Sequence, residues 1–149
     1  MESLQVKDYM NLYPVTFTAD MAVEEASLRF LKTKQIGGPV IDDNGQLIGF
    51  LSESDVLAKM LQTSYYGEHM ADVSQLMRTE VLTMKPYTSI VELAQTMLQQ
   101  KPKVYPVTDD DGALLGTISR NDVLRAIDLH IRSTFHESTW QPKENQIQR

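Results

Sequence analysis

The chain has 149 residues, 42% of them hydrophobic and 23% charged, with a formal net charge of −6 and no cysteine. This composition is typical of a folded globular protein; the negative charge argues against general nucleic-acid binding, which depends on basic residues, and the lack of cysteine excludes disulfides and thiolate metal sites. Because no apolar run reaches the roughly 18 residues of a membrane span and the first residues lack signal-peptide features, we expect a cytoplasmic protein.

An internal repeat without gaps dominates the sequence. Residues 6–57 align with residues 73–124 at an offset of 67, and 17 of the 52 pairs are identical, where chance would give roughly three. Such repetition predicts two copies of one unit that bury their apolar faces against each other. We predict one repeat in residues 1–64, a second in 65–132 and a polar tail in 133–149.

Each copy begins with a short lead-in, a short strand and an amphipathic helix. The strands are predicted at 15–17 and 82–84, and Asp20 and Ser89 are the predicted N-caps of the helices that follow. Apolar residues at helical spacing give the predicted core positions of these helices, which are Val23, Ala26, Phe30, Leu31, Ile90, Leu93, Ala94, Met97 and Leu98.

Two further strands and a second helix complete each copy in the order β-α-β-β-α. A strand starts at Pro39 or Pro106, where a missing N–H is tolerated, and a turn ending in Gly45 or Gly112 leads into the next strand. The predicted apolar positions of the second helices are Val56, Leu57, Met60, Leu61, Val123, Leu124 and Ile127.

The same motif joins the last strand to the second helix in both copies, with Ser52 and Asp55 in copy one and Ser119 and Asp122 in copy two. The spacing Ser-x-x-Asp places a hydroxyl and a carboxylate at a helix N-terminus, where free N–H groups and the helix dipole favour an anion. It is also the spacing of a capping box, which stabilises a helix without any ligand. Duplication of the motif in one frame favours a pair of nucleotide clefts.

Two β-α-β-β-α repeats that each close on Gly-h-h-Ser-x-x-Asp-Val-Leu resemble a tandem pair of CBS domains, named after cystathionine β-synthase and also called a Bateman module. The resemblance extends from Val6 to about Ile131. It implies an α+β fold with the repeats packed about a pseudo-twofold axis, and two clefts for AMP, ADP, ATP or S-adenosylmethionine. It further implies a regulatory homodimer without obligatory cofactor or catalytic activity, which acts in trans on an effector protein.

The resemblance assigns ligand contacts residue by residue. Asp55 and Asp122 would bind ribose hydroxyls, since a carboxylate accepts two hydrogen bonds, while Ser52 and Ser119 would reach ribose or phosphate. The other contacts implied with adenine and phosphate are Thr16, Gly38, Pro39, Thr83, Lys103, Tyr105, Pro106 and Arg120.

The copies differ at the two basic positions of this set. Lys103 and Arg120 of copy two correspond to Ile36 and Glu53 of copy one. A guanidinium at a helix start suits phosphate, whereas a carboxylate opposes it. The Asp122 site is therefore expected to be the better phosphate binder, and the Asp55 site to be empty or suited to a less charged adenosyl ligand.

A ligand-free scaffold for dimerisation is the alternative function, favoured by the substitutions in copy one. Lys103 and Arg120 also have a plain interpretation as solvated surface charges, and Tyr105 as a strand aromatic. Catalysis has little support because neither motif serine lies in a Gly-x-Ser-x-Gly elbow or has a histidine placed as its base. No metal is expected, since metal-ligand spacing is absent from the histidines, which are His69, His130 and His136.

Overall fold

The computed structural model describes residues 4–67, 69 and 71–135. Its strands form two antiparallel hairpins, β1 with β2 and β3 with β4, and helices pack on both, so the predicted α+β class is confirmed. No helix within this part of the chain is long and apolar enough to cross a membrane. The elements in chain order are a 3-10 turn (Val6–Asp8), α1 (Val23–Thr33), β1 (Gly37–Ile41), β2 (Leu47–Ser52), α2 (Glu53–Tyr66), α3 (Val73–Leu76), α4 (Ile90–Gln99), β3 (Val104–Thr108), β4 (Leu114–Ser119) and α5 (Arg120–Phe135).

The hairpin turns form where the sequence predicts them. Gly45 and Gly112 adopt left-handed conformations with φ of 77° and 86°, which glycine reaches without steric cost. Before each glycine an aspartate carboxylate closes the turn, since Asp42 Oδ1 accepts the N–H of Asn44 at 2.9 Å and Asp109 makes the equivalent contact in the second hairpin. The turn sequence therefore fixes both hairpins locally.

The two strand prolines lie in the middle of their strands. The prediction that they lie at the strand starts is therefore wrong. Pro39 faces Phe50 across the first hairpin. The N–H and C=O of Phe50 instead pair with Arg78 on the opposite side, at 2.8 and 2.9 Å. No ladder hydrogen bond is lost at Pro39, and the same arrangement holds around Pro106.

The helices bury one face, but that face is narrower than predicted. On α1 the buried residues are Val23, Ala26 and Phe30, and α4 and α5 show the same spacing. The predicted core residues that prove to be exposed are Leu31, Leu57, Leu61, Leu98 and Leu124. Each of these leucines directly follows a buried or partly buried residue. Because neighbouring side chains on a helix point about 100° apart, the leucine faces outwards when the residue before it faces the core.

One predicted helix cap is confirmed and one is wrong. Ser89 caps α4, where its hydroxyl accepts two backbone N–H groups. α1 begins after Ala22 instead, and the Asp20 carboxylate accepts the hydroxyl of Thr18 at 2.8 Å. Asp20 lies too early to reach the free N–H groups of α1, so its side chain closes the preceding turn.

The first strand predicted in each copy is reduced to a single bridge. Phe17 pairs in parallel with Val40, and Met84 with Val107. The chain turns at residues 19 and 20 immediately after the first bridge, so a longer strand cannot form there. Each bridge still lengthens its hairpin sheet by one hydrogen-bonded residue.

The copies exchange their lead-in segments. Residues 4–11 pack on copy two, where the N–H of Val6 donates to Thr88 O at 2.9 Å, and residues 71–78 pack on copy one, where the N–H of Val73 donates to Met21 O at 2.8 Å. The two hydrophobic clusters accordingly contain the lead-in valine of the opposite copy.

The contacts between the hairpins obey the same symmetry. The N–H of Leu47 donates to Gly112 O at 3.1 Å, and the N–H of Leu114 donates to Gly45 O at 3.0 Å. These partners are exchanged by the 67-residue offset of the repeat. The predicted pseudo-twofold packing of the repeats is therefore confirmed.

Both of the predicted boundaries between the repeats and the tail fall within helices. α2 runs through the predicted division between residues 64 and 65, which stays a prediction. At the other end α5 includes residues 133–135 of the predicted tail. The rest of the tail, with His136, lies outside the described residues.

Candidate functional site

A cleft of about 440 Å³ lies between the copies beside the start of α5. Its volume falls within the roughly 300–1,000 Å³ of small-molecule sites. Both copies line it, because the crossed lead-in of copy one lies against β4. The lining residues are Tyr9, Met10, Asn11, Lys34, Gln35, Ile36, Gly37, Val104, Thr117, Ser119, Asp122 and Arg125.

Asp122 presents a carboxylate to this cleft from the first turn of α5. Its Oδ2 accepts the N–H of Ser119 at 2.9 Å, and its own N–H donates to Ser119 Oγ at 3.2 Å. This reciprocal pair is a capping box. The other oxygen, Oδ1, lies 3.3 Å from Nη1 of Arg125. The cap thus fixes the orientation of the carboxylate and leaves Oδ1 facing a side chain that is 51% exposed.

Arg125 joins the carboxylate to the crossed lead-in. Its Nη2 donates to the backbone oxygen of Tyr9 at 3.2 Å. The same side chain therefore contacts Asp122 and the segment that forms one wall of the cleft. Arg125 is not part of the repeated motif, although its position three residues after Asp122 places both on one helix face.

The motif of copy one shares the serine half of this cap and has a different ionic partner. The N–H of Asp55 donates to Ser52 Oγ at 3.1 Å, and Asp55 Oδ2 lies 3.4 Å from Nε of Arg78. Arg78 belongs to the crossed lead-in of copy two. Ala58 occupies the position that corresponds to Arg125, so each motif aspartate pairs with an arginine from a different part of the fold.

Of the twelve residues selected from the sequence, Ser119 and Asp122 line this cleft. Lys103 and Arg120 are exposed outside it, and the remaining residues are half-buried or buried elsewhere in the fold. The half-buried ones are Thr16, Ser52, Asp55 and Thr83, and the buried ones are Gly38, Pro39, Tyr105 and Pro106. Their roles as ligand contacts stay predictions.

Besides Val104, Thr117 and Arg125, the lining residues that were not selected from the sequence come from two segments. Residues 9–11 belong to a lead-in that crosses to the other copy, and residues 34–37 lead into β1, which begins at residue 37, and line the cleft beside the motif of copy two. Their composition carries no metal-ligand, phosphate-loop or catalytic pattern. Only the tertiary arrangement brings them to the carboxylate.

Tyr105 on β3, outside the cleft lining, provides a stability test. Its side chain is fully buried, its hydroxyl has no hydrogen-bond partner in the described part of the chain, and burial raises the pKa of the phenol. An unpaired buried hydroxyl costs about 1–3 kcal/mol. We therefore expect Tyr105→Phe to raise the free energy of unfolding by about 1 kcal/mol or more in urea denaturation.

The control for this measurement is Tyr87→Phe. The Tyr87 hydroxyl is on an exposed side chain and donates to Asp110 Oδ1 at 2.9 Å, so its loss should change stability little. A Tyr105→Phe variant that is less stable than the parent would contradict the unpaired state of the buried hydroxyl.

Comparison with known proteins agrees with this architecture. The family model for the CBS domain matches the chain twice, at residues 6–62 and 73–129. A crystal structure of CBSX2 from Arabidopsis thaliana in complex with AMP is 32% identical and superposes with a TM-score of 0.75, covering 86% of this chain and 98% of that one.

Two further relatives extend the comparison. The cytosolic domain of the Mg²⁺ channel MgtE, solved in complex with ATP, is 28% identical with a TM-score of 0.69, and the match covers 84% of this chain and 49% of that one. The protein MJ1426 of Methanocaldococcus jannaschii is 27% identical over 85% of this chain and 92% of its own length. With two family matches that cover most of its length and the fold of solved CBS pairs, the chain belongs to the CBS domain family as a tandem pair.

Proposed function

We propose that the chain is a regulatory module that binds adenosyl ligands such as AMP, ADP, ATP or S-adenosylmethionine between its two copies. The observation that carries the proposal is the 440 Å³ cleft with the Asp122 carboxylate fixed at its wall. Relatives that are 32% and 28% identical were crystallised with AMP and ATP, which supports a ligand of the same class.

The carboxylate is suited to a ribose. A ribose offers two neighbouring hydroxyl donors, and in the described part of the chain Asp122 Oδ1 is held by the Arg125 contact at 3.3 Å. In the bound state the ribose hydroxyls donate to this oxygen in place of Arg125. Arg125 then pairs with solvent or with a ligand phosphate instead. The cap with Ser119 stays intact, so α5 keeps its start.

Ligand binding is coupled to the crossed lead-in. Arg125 links Asp122 to the backbone oxygen of Tyr9. When ribose hydroxyls bind Asp122, Arg125 loses its contact with the carboxylate and holds only the lead-in. Two arrangements of the lead-in with different ligand affinities are sufficient to transmit a signal. An effector protein, which we propose to be bound in trans, would read this difference.

A thermal-shift panel tests the proposal. The parent protein is heated with AMP, ADP, ATP, S-adenosylmethionine, NADH and GTP at millimolar concentration. A ligand at 100 times its dissociation constant adds about 2.7 kcal/mol to stability, so we expect a clear rise in melting temperature with the adenosyl compounds and little with GTP. The absence of any shift would contradict the proposal.

In this proposal the module is not itself a catalyst. The hydroxyls of Ser52 and Ser119 both accept helix N–H groups, and within the described residues neither is hydrogen-bonded to a histidine that could act as a base. Steady turnover of added ATP by the purified protein would contradict this part of the proposal.

A dimerising scaffold is the second candidate, and the exposed leucines favour it. Leu57 and Leu61 lie on the outer face of α2 with 67% and 55% of their surface exposed, and Leu124 on α5 is 67% exposed. Leu57 and Leu61 are four residues apart and therefore share a face. Exposed apolar stripes of this kind are typical of interfaces, so we propose that the module forms a homodimer through α2 and α5.

We expect the double variant Leu57→Asp and Leu124→Asp to be monomeric by light scattering at concentrations where the parent is a dimer, because two charges would have to be buried in the interface. The control is Leu12→Asp, which changes a leucine of similar exposure, 58%, directly after the lead-in. A dimer that survives the double variant would exclude this face as the interface.

A further inference from the structure

The crossed arrangement changes which residues face each motif aspartate. Ile36 belongs to copy one, yet it lines the cleft of Asp122 in copy two. The residue that corresponds to Ile36 under the repeat is Lys103, and Lys103 is not among the residues that line the Asp122 cleft. By the same pseudo-twofold relation we expect Lys103 to face the equivalent region beside Asp55, which we call the Asp55 cleft.

The backbone contacts around these two positions match closely. Ile36 O accepts the N–H of Glu53 at 2.9 Å, and Lys103 O accepts the N–H of Arg120 at 3.0 Å. The strands that follow begin in the same register, with Gly37 opposite Ser52 and Val104 opposite Ser119. The two segments are thus equivalent in the fold.

A second pair of positions shows the crossing directly. Asn11 lines the Asp122 cleft, and its counterpart Arg78 pairs with Asp55 at 3.4 Å. Both reach their cleft from the lead-in of the other copy. The second lead-in therefore reaches Asp55, as the symmetry requires, and the same symmetry predicts that the residues before β3 face Asp55 too.

The difference between Arg120 and Glu53 does not change the charge that faces a ligand in either cleft. Arg120 is the first residue of α5, is exposed and does not line the Asp122 cleft. Glu53 holds the equivalent first position of α2 and is exposed as well. By the same symmetry its carboxylate lies outside the Asp55 cleft and does not oppose an anion there.

The remaining charges almost cancel between the clefts. Each motif aspartate pairs with an arginine, and Lys34, which lines the Asp122 cleft, corresponds to Lys101 under the repeat. The difference that is left is Lys103 against Ile36. One cleft has an additional ammonium group where the other has an apolar side chain.

We infer that the Asp55 cleft binds the phosphates of a nucleoside di- or triphosphate through Lys103, whereas the Asp122 cleft prefers an adenosyl ligand of low charge. This assignment reverses the preference expected from the sequence. It rests on the proposed function, because it concerns the ligands of the same pair of clefts. In a chain with a net charge of −6, a local ammonium group is needed to hold a polyphosphate.

Calorimetry on the full chain with adenosine, AMP and ATP tests the inference. We expect Lys103→Gln to weaken ATP binding roughly tenfold or more, as for a lost charge-assisted hydrogen bond, and to leave adenosine binding unchanged. Ile36→Lys should add ATP affinity to the other cleft. The control is Lys32→Gln, which removes one exposed positive charge on α1 that does not line the Asp122 cleft.

Asp55→Asn and Asp122→Asn backgrounds identify the cleft in which Lys103 acts. The inference predicts that the effect of Lys103→Gln persists with Asp122→Asn and disappears with Asp55→Asn. The reverse pattern, or an ATP affinity that does not respond to Lys103→Gln, would overturn it while the proposed function stands. If the folded parent binds none of the three ligands, the proposed function fails and the inference falls with it.

Discussion

Asp122→Ala is expected to weaken the binding of adenosine and of AMP by about 1.5–3 kcal/mol, the range for hydrogen bonds to a charged group. The carboxylate lines the cleft with only 16% of its side chain exposed, so water replaces its contacts with a ribose poorly. Because the ribose is common to both ligands, the loss should be equal for the two. Calorimetry measures it as a change of roughly 10- to 150-fold in the dissociation constant.

Folding of the variant must be followed in parallel. Asp122 also caps α5 through Ser119, and loss of a cap costs about 1 kcal/mol, which a stable domain tolerates. Asp111→Ala is the matched control, since it removes the same charge from an exposed hairpin turn. Equal affinities of the folded Asp122→Ala variant and the parent would remove Asp122 from the site.

The sequence predicted the elements of each copy well because their determinants are local. The positive φ of Gly45 and Gly112, the cap at Ser89 and the antiparallel hairpins all follow from neighbouring residues. The misplaced leucines show the limit of this approach. A sequence with adjacent apolar residues such as Val56 and Leu57 does not say which of the two faces the core.

The exchange of the lead-ins could not be predicted from the repeat. Val6 and Val73 are identical and buried, and either could pack on its own copy with the same apolar pattern. An internal repeat defines equivalent positions but not which copy they contact. The same ambiguity applies to Lys103, because the repeat alone does not say which motif aspartate this residue faces.

Of the residues that line the cleft, the sequence predicted only the two that belong to the repeated local motif. Ser119 and Asp122 are three residues apart and meet at the start of one helix, so their spacing was sufficient to select them. Arg125 lies on the same helix and could have been found by its distance from Asp122. The walls formed by residues 9–11 and 34–37 depend on tertiary contacts that no local pattern records.

Gly116→Ala is expected to have the largest effect on the fold of the site. A Cβ at Gly116 would overlap with the backbone oxygen of Asn11 and lie 3.6 Å from Cα of Leu12. These are atoms of the crossed lead-in, whose Asn11 exchanges two backbone hydrogen bonds with Thr117 at 2.7 and 3.0 Å. Since backbone atoms cannot move aside as a flexible side chain does, the lead-in has to separate from β4.

We expect this variant to lose about 1–3 kcal/mol of unfolding free energy, the usual cost of overpacking, in urea denaturation. Ligand binding at Asp122 should be lost at the same time, because residues 9–11 form one wall of its cleft. Gly49→Ala is the matched control at the equivalent position. There the nearest atom is the flexible Met77 side chain at 2.7 Å, with Arg78 O at 2.9 Å, so the loss should be smaller. If Gly116→Ala proves no less stable than Gly49→Ala and still binds adenosine, close approach of the lead-in is not what holds the cleft together.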